Sequence, residues 1–129
     1  MKFLGIDYGT KWVGVAYSEG VFSRGLTQFY TKEALAQLKN LIGKMEITKV
    51  IVGLPQGIIS DKARDFGIQL GEEVHVEVTF WDETLTSVQS NENLIQNKSS
   101  RKRRQINNHK HAAALILDSY LEENKSKII

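Results

Sequence analysis

The chain has 129 residues, 41% of them hydrophobic and 25% charged, with 17 basic side chains against 15 acidic ones and no cysteine. That length fits one core, and the composition excludes a disordered tail, a fibre, a disulfide framework and a thiolate metal cage. No apolar run approaches the ~20 residues needed to cross a bilayer, and Asp7 interrupts the N-terminal run too early for a signal peptide, so one cytoplasmic domain over residues 1–129 with no membrane partner is expected.

Residues 2–6 run into Asp7, and residues 12–18 and 21–30 are two further stretches rich in β-branched and aromatic side chains. Three strands are predicted, joined by short Gly-bearing turns at residues 8–11 and 19–20. From Thr31, a candidate N-cap, the period changes: Ala34, Leu35, Leu38, Leu41, Ile42 and Met45 recur at spacings of three and four, as an amphipathic helix requires. Residues 48–54 form an apolar run closed by Pro55, the only proline, and read as a strand buried on both faces. A loop over 56–60, a helix over 61–71 and a strand over 74–81 follow, after which Leu85, Val88, Leu94 and Ile95 predict another helix. Residues 99–110 are expected to be a mobile loop, because like charges repel and nothing there builds a core. Residues 112–121 read as a helix packed against a sheet. The order predicts an α/β fold: a three-strand antiparallel meander, then β-α alternation, in a mixed sheet with helices on both faces.

Charge is sorted along the chain. Lys98, Arg101, Lys102, Arg103, Arg104 and Lys110 put +6 into one short segment without an acid, which leaves −4 elsewhere in a chain of net charge +2. A solvated face mixes both signs; a segment of one sign suits a polyanion.

Three residues are candidates for chemistry. Asp7 ends an apolar strand immediately before a glycine turn, which suits either a turn-capping carboxylate or a site acid. Glu83 closes the segment Thr79-Phe80-Trp81-Asp82-Glu83 at the carboxyl end of a strand, the edge where α/β sheets bind ligands, though it would equally suit a helix first turn. Asp82 points to the opposite face if the strand persists. His109 stands at the entry of the last helix, and His111, two residues on, cannot pair with it on one helix face.

Two carboxylates and an imidazole meeting at one sheet edge would form a site for Mg²⁺ or Mn²⁺, able to activate a water against a phosphodiester. No Gly-x-Ser-x-Gly elbow supports a nucleophilic hydrolase. Neither a P-loop nor a dinucleotide fingerprint surrounds Gly9-Thr10-Lys11, although Asp-x-Gly-Thr resembles the phosphate turn of actin-like ATPases.

Four motifs in order, residues 5–11 with Val13-Gly14-Val15-Ala16, residues 50–55, residues 81–86, and Ser100-Arg101-Lys102 with residues 112–117, resemble the YqgF (RuvX-like) family, relatives of Holliday junction resolvases in the RNase H-like superfamily. The resemblance implies an RNase H-like nuclease domain that uses Mg²⁺ or Mn²⁺. It implies a role in trimming the 5′ end of pre-16S rRNA or, by an older assignment, in resolving branched DNA. Asp7 and Glu83 match the family's first two acids, and His109 falls where a third, an Asp, is usual. All three are thereby implied as catalytic residues and metal ligands. Lys11, Arg101, Lys102, Arg103, Arg104 and Lys110 are the expected nucleic-acid contacts, with pre-rRNA or branched DNA as partner and a monomer or homodimer as the working state. Trp12 and Thr84 stand where the family commonly has arginine, and the loop after Pro55 is shortened. A binding module that has lost catalysis at His109 is the alternative.

Overall fold

The computed structural model describes residues 1–55, 59–82 and 101–124, with side chains from His109 onward in the last stretch. Its elements are β1 (Phe3–Tyr8), β2 (Trp12–Ser18), β3 (Ser23–Tyr30), α1 (Thr31–Met45), β4 (Lys49–Leu54), α2 (Ile59–Val74), β5 (Glu77–Asp82) and α3 (Arg101–Glu123). The five strands lie in the order β3-β2-β1-β4-β5. β1, β2 and β3 pair antiparallel, whereas β1, β4 and β5 pair parallel. This is the predicted meander followed by β-α alternation.

β1 and β4 sit inside the sheet, and their side chains divide between two cores by strand parity. Leu4, Ile6, Val13, Val15, Val50 and Val52 pack with Ala34, Leu38 and Ile42 of α1 and Leu70 of α2. Phe3, Ala16 and Ile51 pack with Ala113, Ile116, Leu117, Tyr120 and Leu121 of α3 on the opposite face. Helices cover both faces, as the near-continuous apolar runs of β1 and β4 require. Among the described residues, no helix is long and apolar enough to cross a membrane.

Several boundaries differ from the sequence expectation. Thr31 is the first helical residue, not the cap: Tyr30 occupies the N-cap position with no side-chain cap bond. The Thr31 hydroxyl instead donates to the Gly9 carbonyl at 2.8 Å, and its backbone N–H donates to the Lys11 carbonyl at 2.8 Å. α1 is thus fastened to the β1–β2 turn, and one of the N–H groups that a helix start leaves unpaired finds a partner there. α2 takes in Ile59 and Ser60 at its start and Val74 at its end, and His75 in the left-handed region (φ 56°) precedes β5. Val21 and Phe22 are exposed beside Gly20 (φ 117°), so β3 starts at Ser23. Residues 56–58 of the expected loop and the helix expected from Leu85 lie outside the described residues.

The largest correction concerns the basic segment. Residues 101–110 are helical, part of the 23-residue α3, and not a mobile loop. No Gly or Pro interrupts residues 101–123. Arg, Lys and Gln are good helix formers, and the turns from Ala113 onward, fixed by burial, supply a nucleus from which the helix extends backward at little cost.

Candidate active site

Asp7 lies near the carboxyl end of β1, in register with Gly14 of β2 on one side and Gly53 of β4 on the other. Neither neighbour has a side chain, so the carboxylate stands in a cleared row of the sheet. Parity puts Gly5 and Asp7 on the face covered by α3: a Cβ at Gly5 would lie 2.8 Å from the Ala113 carbonyl oxygen.

The same face explains how α3 comes so close. A Cβ at Gly14 would run into the carbonyl of His109, and one at Gly25 would meet the Lys110 carbonyl oxygen at 3.0 Å. Gly5, Gly14 and Gly25, one on each strand of the meander, form a floor on which the α3 backbone rests. Glycine inside a strand often marks a close backbone approach, and this was the signal available in the sequence for it.

Seated there, His109 turns its ring over Gly9 and onto Asp7. Its Nδ1 is 3.3 Å from Oδ2 of Asp7, joining residues 102 apart in the chain, and the side chains are 28% and 16% exposed respectively. A carboxylate oxygen accepts, so the Nδ1-protonated form of the ring is the one that donates in this contact. A carboxylate oxygen and an imidazole nitrogen at this spacing also fit a small divalent ion, whose octahedral ligands at about 2.1 Å stand about 3 Å apart. The donor set is one hard oxygen and one borderline nitrogen, which suits Mn²⁺ better than Mg²⁺.

The structure thus brings Asp7 and His109 together, His109 being in the third turn of α3 and not at its entry. Glu83 lies outside the described residues. Asp82 is the last residue of β5; Trp81, aligned with Gly53, joins the α3-side core, so Asp82 points to the other face. Among the described residues, no group of three or more His, Cys, Asp or Glu is gathered. Lys11 is exposed in the β1–β2 turn, Lys110 lays its stem over Gly25 of β3, and His111 is exposed. Arg101, Lys102, Arg103 and Arg104 form the first turn of α3.

A family model described as "RuvX: Holliday junction resolvase" matches residues 1–123. A protein of Caldanaerobacter subterraneus is 36% identical over 139 residues, spanning 98% of this chain and 99% of its own. One of Clostridium acetobutylicum is 36% identical over 132 residues, spanning 94% and 98%. Both carry the name "Putative pre-16S rRNA nuclease". Among solved structures, Thermus thermophilus RuvC in complex with a Holliday junction substrate superposes with a TM-score of 0.67 at 14% identity, covering 98% of this chain and 96% of that one. That likeness establishes the fold, which is the RNase H-like one.

Proposed function

We propose that this chain, which belongs to the RuvX family, is a divalent-metal-dependent endonuclease that hydrolyses phosphodiester bonds of structured nucleic acid, with the 5′ end of pre-16S rRNA as its substrate. The names carried by relatives aligned over nearly their whole length support the nuclease activity and the RNA substrate. The observation that carries the site is the Asp7–His109 contact at the end of the central strand.

In this reading Asp7 provides the anionic oxygen, and His109, in the neutral tautomer that carries its proton on Nε2, would offer Nδ1 as a second donor beside it. A bound Mg²⁺ or Mn²⁺ would supply activation of a water and neutralisation of charge at the phosphodiester. Glu83, taken from its place after β5, would add the second carboxylate. The low exposure of both described side chains limits competing water, and the glycine floor holds them at a fixed separation. The first turn of α3, with four consecutive cations, would hold the nucleic-acid backbone. A cytoplasmic site of action belongs to the same reading.

The test is Mn²⁺-dependent cleavage of a 5′-extended 16S precursor beside a four-way DNA junction, with the wild-type chain and Asp7→Asn. Cleavage of the RNA by the wild type alone is expected; equal cleavage by the variant would overturn the assignment. The family description favours a second reading, junction resolution, in which symmetric cuts require a two-fold dimer. Junction cleavage together with a dimeric solution mass would establish it, whereas a monomer favours rRNA trimming.

A further inference from the structure

Trp12 and Tyr30 are cross-strand partners at the end of the β2–β3 ladder, with ring centroids 4.2 Å apart and planes inclined by 23°. By parity Trp12 shares its face with Gly14 and Ala16, the face on which α3 and His109 rest. It lies two residues from Gly14, the register partner of Asp7. The stack therefore stands at the same end of the sheet as the candidate site and on the same side.

Tyr30 remains 50% exposed. It also lines a groove of about 390 Å³ with Thr10, Lys11, Thr31, Lys32 and Glu33. Two lysines against one glutamate leave that groove net positive. An aromatic pair that served the sheet alone would be favoured by full burial; here Tyr30 stays half exposed beside two cations. A stacked aromatic pair with one member lining a cationic groove matches what an unpaired strand offers, a base face and a phosphate in alternation. Bases within a duplex are already stacked and cannot reach such a surface.

We propose that Trp12 and Tyr30 form a stacking platform for one unpaired nucleobase beside the scissile bond, with Lys11 and Lys32 contacting the adjacent phosphates, so that the site takes single-stranded segments in preference to paired ones. This deepens the nuclease reading and rests on it for the position of the scissile bond.

The experiment measures binding of labelled single strands of about ten nucleotides, and of the matching duplex, to the full chain carrying Asp7→Asn so that no cleavage intervenes. Adding Trp12→Leu or Tyr30→Leu is expected to weaken single-strand binding by about tenfold, within the roughly 5- to 150-fold that loss of one stacked base represents, and to leave duplex binding within about twofold. Trp12→Phe should recover most of the loss. An abasic position in the oligonucleotide should reproduce it with no change to the protein, which decides the matter if the leucine variants melt early. The chain has two tryptophans, so in a Trp81→Phe background the emission of Trp12 should be quenched by the single strand. Ribose and deoxyribose strands run in parallel identify which nucleic acid supplies the base.

Unchanged single-strand binding in the leucine variants, or equal loss on both substrates, overturns the platform. The two readings fail separately. If Asp7→Asn abolishes cleavage and Trp12→Leu leaves single-strand binding intact, the nuclease stands without the platform; if Asp7→Asn cleaves like the wild type, the nuclease reading falls whatever Trp12 does.

Discussion

Oδ2 of Asp7 and Nδ1 of His109 lie 3.3 Å apart, a contact made across 102 residues because a central strand and the last helix share one face of the sheet. Replacing the imidazole by a carboxylate would put a second hard, anionic donor beside the first. His109→Asp is therefore expected to tighten Mg²⁺ relative to Mn²⁺, since hard oxygen donors suit Mg²⁺ and imidazole suits later metals. Thermal shift against each ion measures it, and a higher melting temperature with Mg²⁺ in the variant than in the wild type is the expected result. A variant whose preference for Mn²⁺ grows would contradict the placement of His109 at the ion.

The glycine floor gives a second prediction. A Cβ at Gly14 meets the backbone of His109, which cannot swing aside as a side-chain tip can. Gly14→Ala should lift α3, destabilise the fold by about 1–3 kcal/mol and weaken Mn²⁺ binding more than the loss of stability explains. Gly43 near the end of α1 has nothing within 4 Å of the same atom, so Gly43→Ala should stabilise by about 0.5–1 kcal/mol through helix propensity. Urea unfolding of the two variants checks the opposite signs.

How far the sequence discloses this arrangement depends on the range of the interaction. α1 was legible because its stripe of Ala34, Leu38 and Ile42 is a local period that burial enforces. β4 was legible as an apolar run closed by Pro55. The start of α3 is not, because repulsion among Arg101, Lys102, Arg103 and Arg104 opposes the helix locally, while the turns behind them that anchor it are fixed only by tertiary burial. Thr31 has the chemistry of a cap, yet its hydroxyl is taken by Gly9, 22 residues away, a bond that only the tertiary fold creates. Periodicity does not show that Asp7 faces His109: strand order, β1 parity and the depth of α3 on three glycines must all be known first. The pairing of Trp12 with Tyr30 likewise depends on the β2–β3 register, which includes a bulge at Val15/Ala16 that no local pattern announces.

Lys49 gives a pH prediction. Its Nζ donates to the Tyr120 hydroxyl at 2.6 Å and stands 3.3 Å from Oε2 of Glu77. Burial pushes its pKa down, but the hydrogen bonds to Tyr120 and Glu77 outweigh that and hold it above 10.5. A basic group whose folded pKa is raised adds stability that is fully present below its ordinary value and disappears as pH climbs through the folded one. The stability gap between the wild type and Lys49→Met should stay constant through neutral pH and narrow above 10.5. Urea midpoints taken across the alkaline range test the sign, since a gap that widens there would show that Lys49 is not held charged by these partners.

The cationic turn at the start of α3 yields the last prediction. Arg101, Lys102, Arg103 and Arg104 are the first four residues of α3, a run of cations with no acid among them. Two or three phosphate contacts are expected from these four charges. Replacing all four by glutamine keeps helix propensity and removes the charge. It should lower the slope of log affinity against log salt by roughly 1.4–2.7, taking about 0.7 per contact for single strands and 0.9 for duplex. Measured from low to physiological salt, affinity should fall for every sequence alike, because phosphate contacts read no bases. A drop confined to one sequence would mean that these side chains reach base edges, and an unchanged slope would place the nucleic-acid path away from α3.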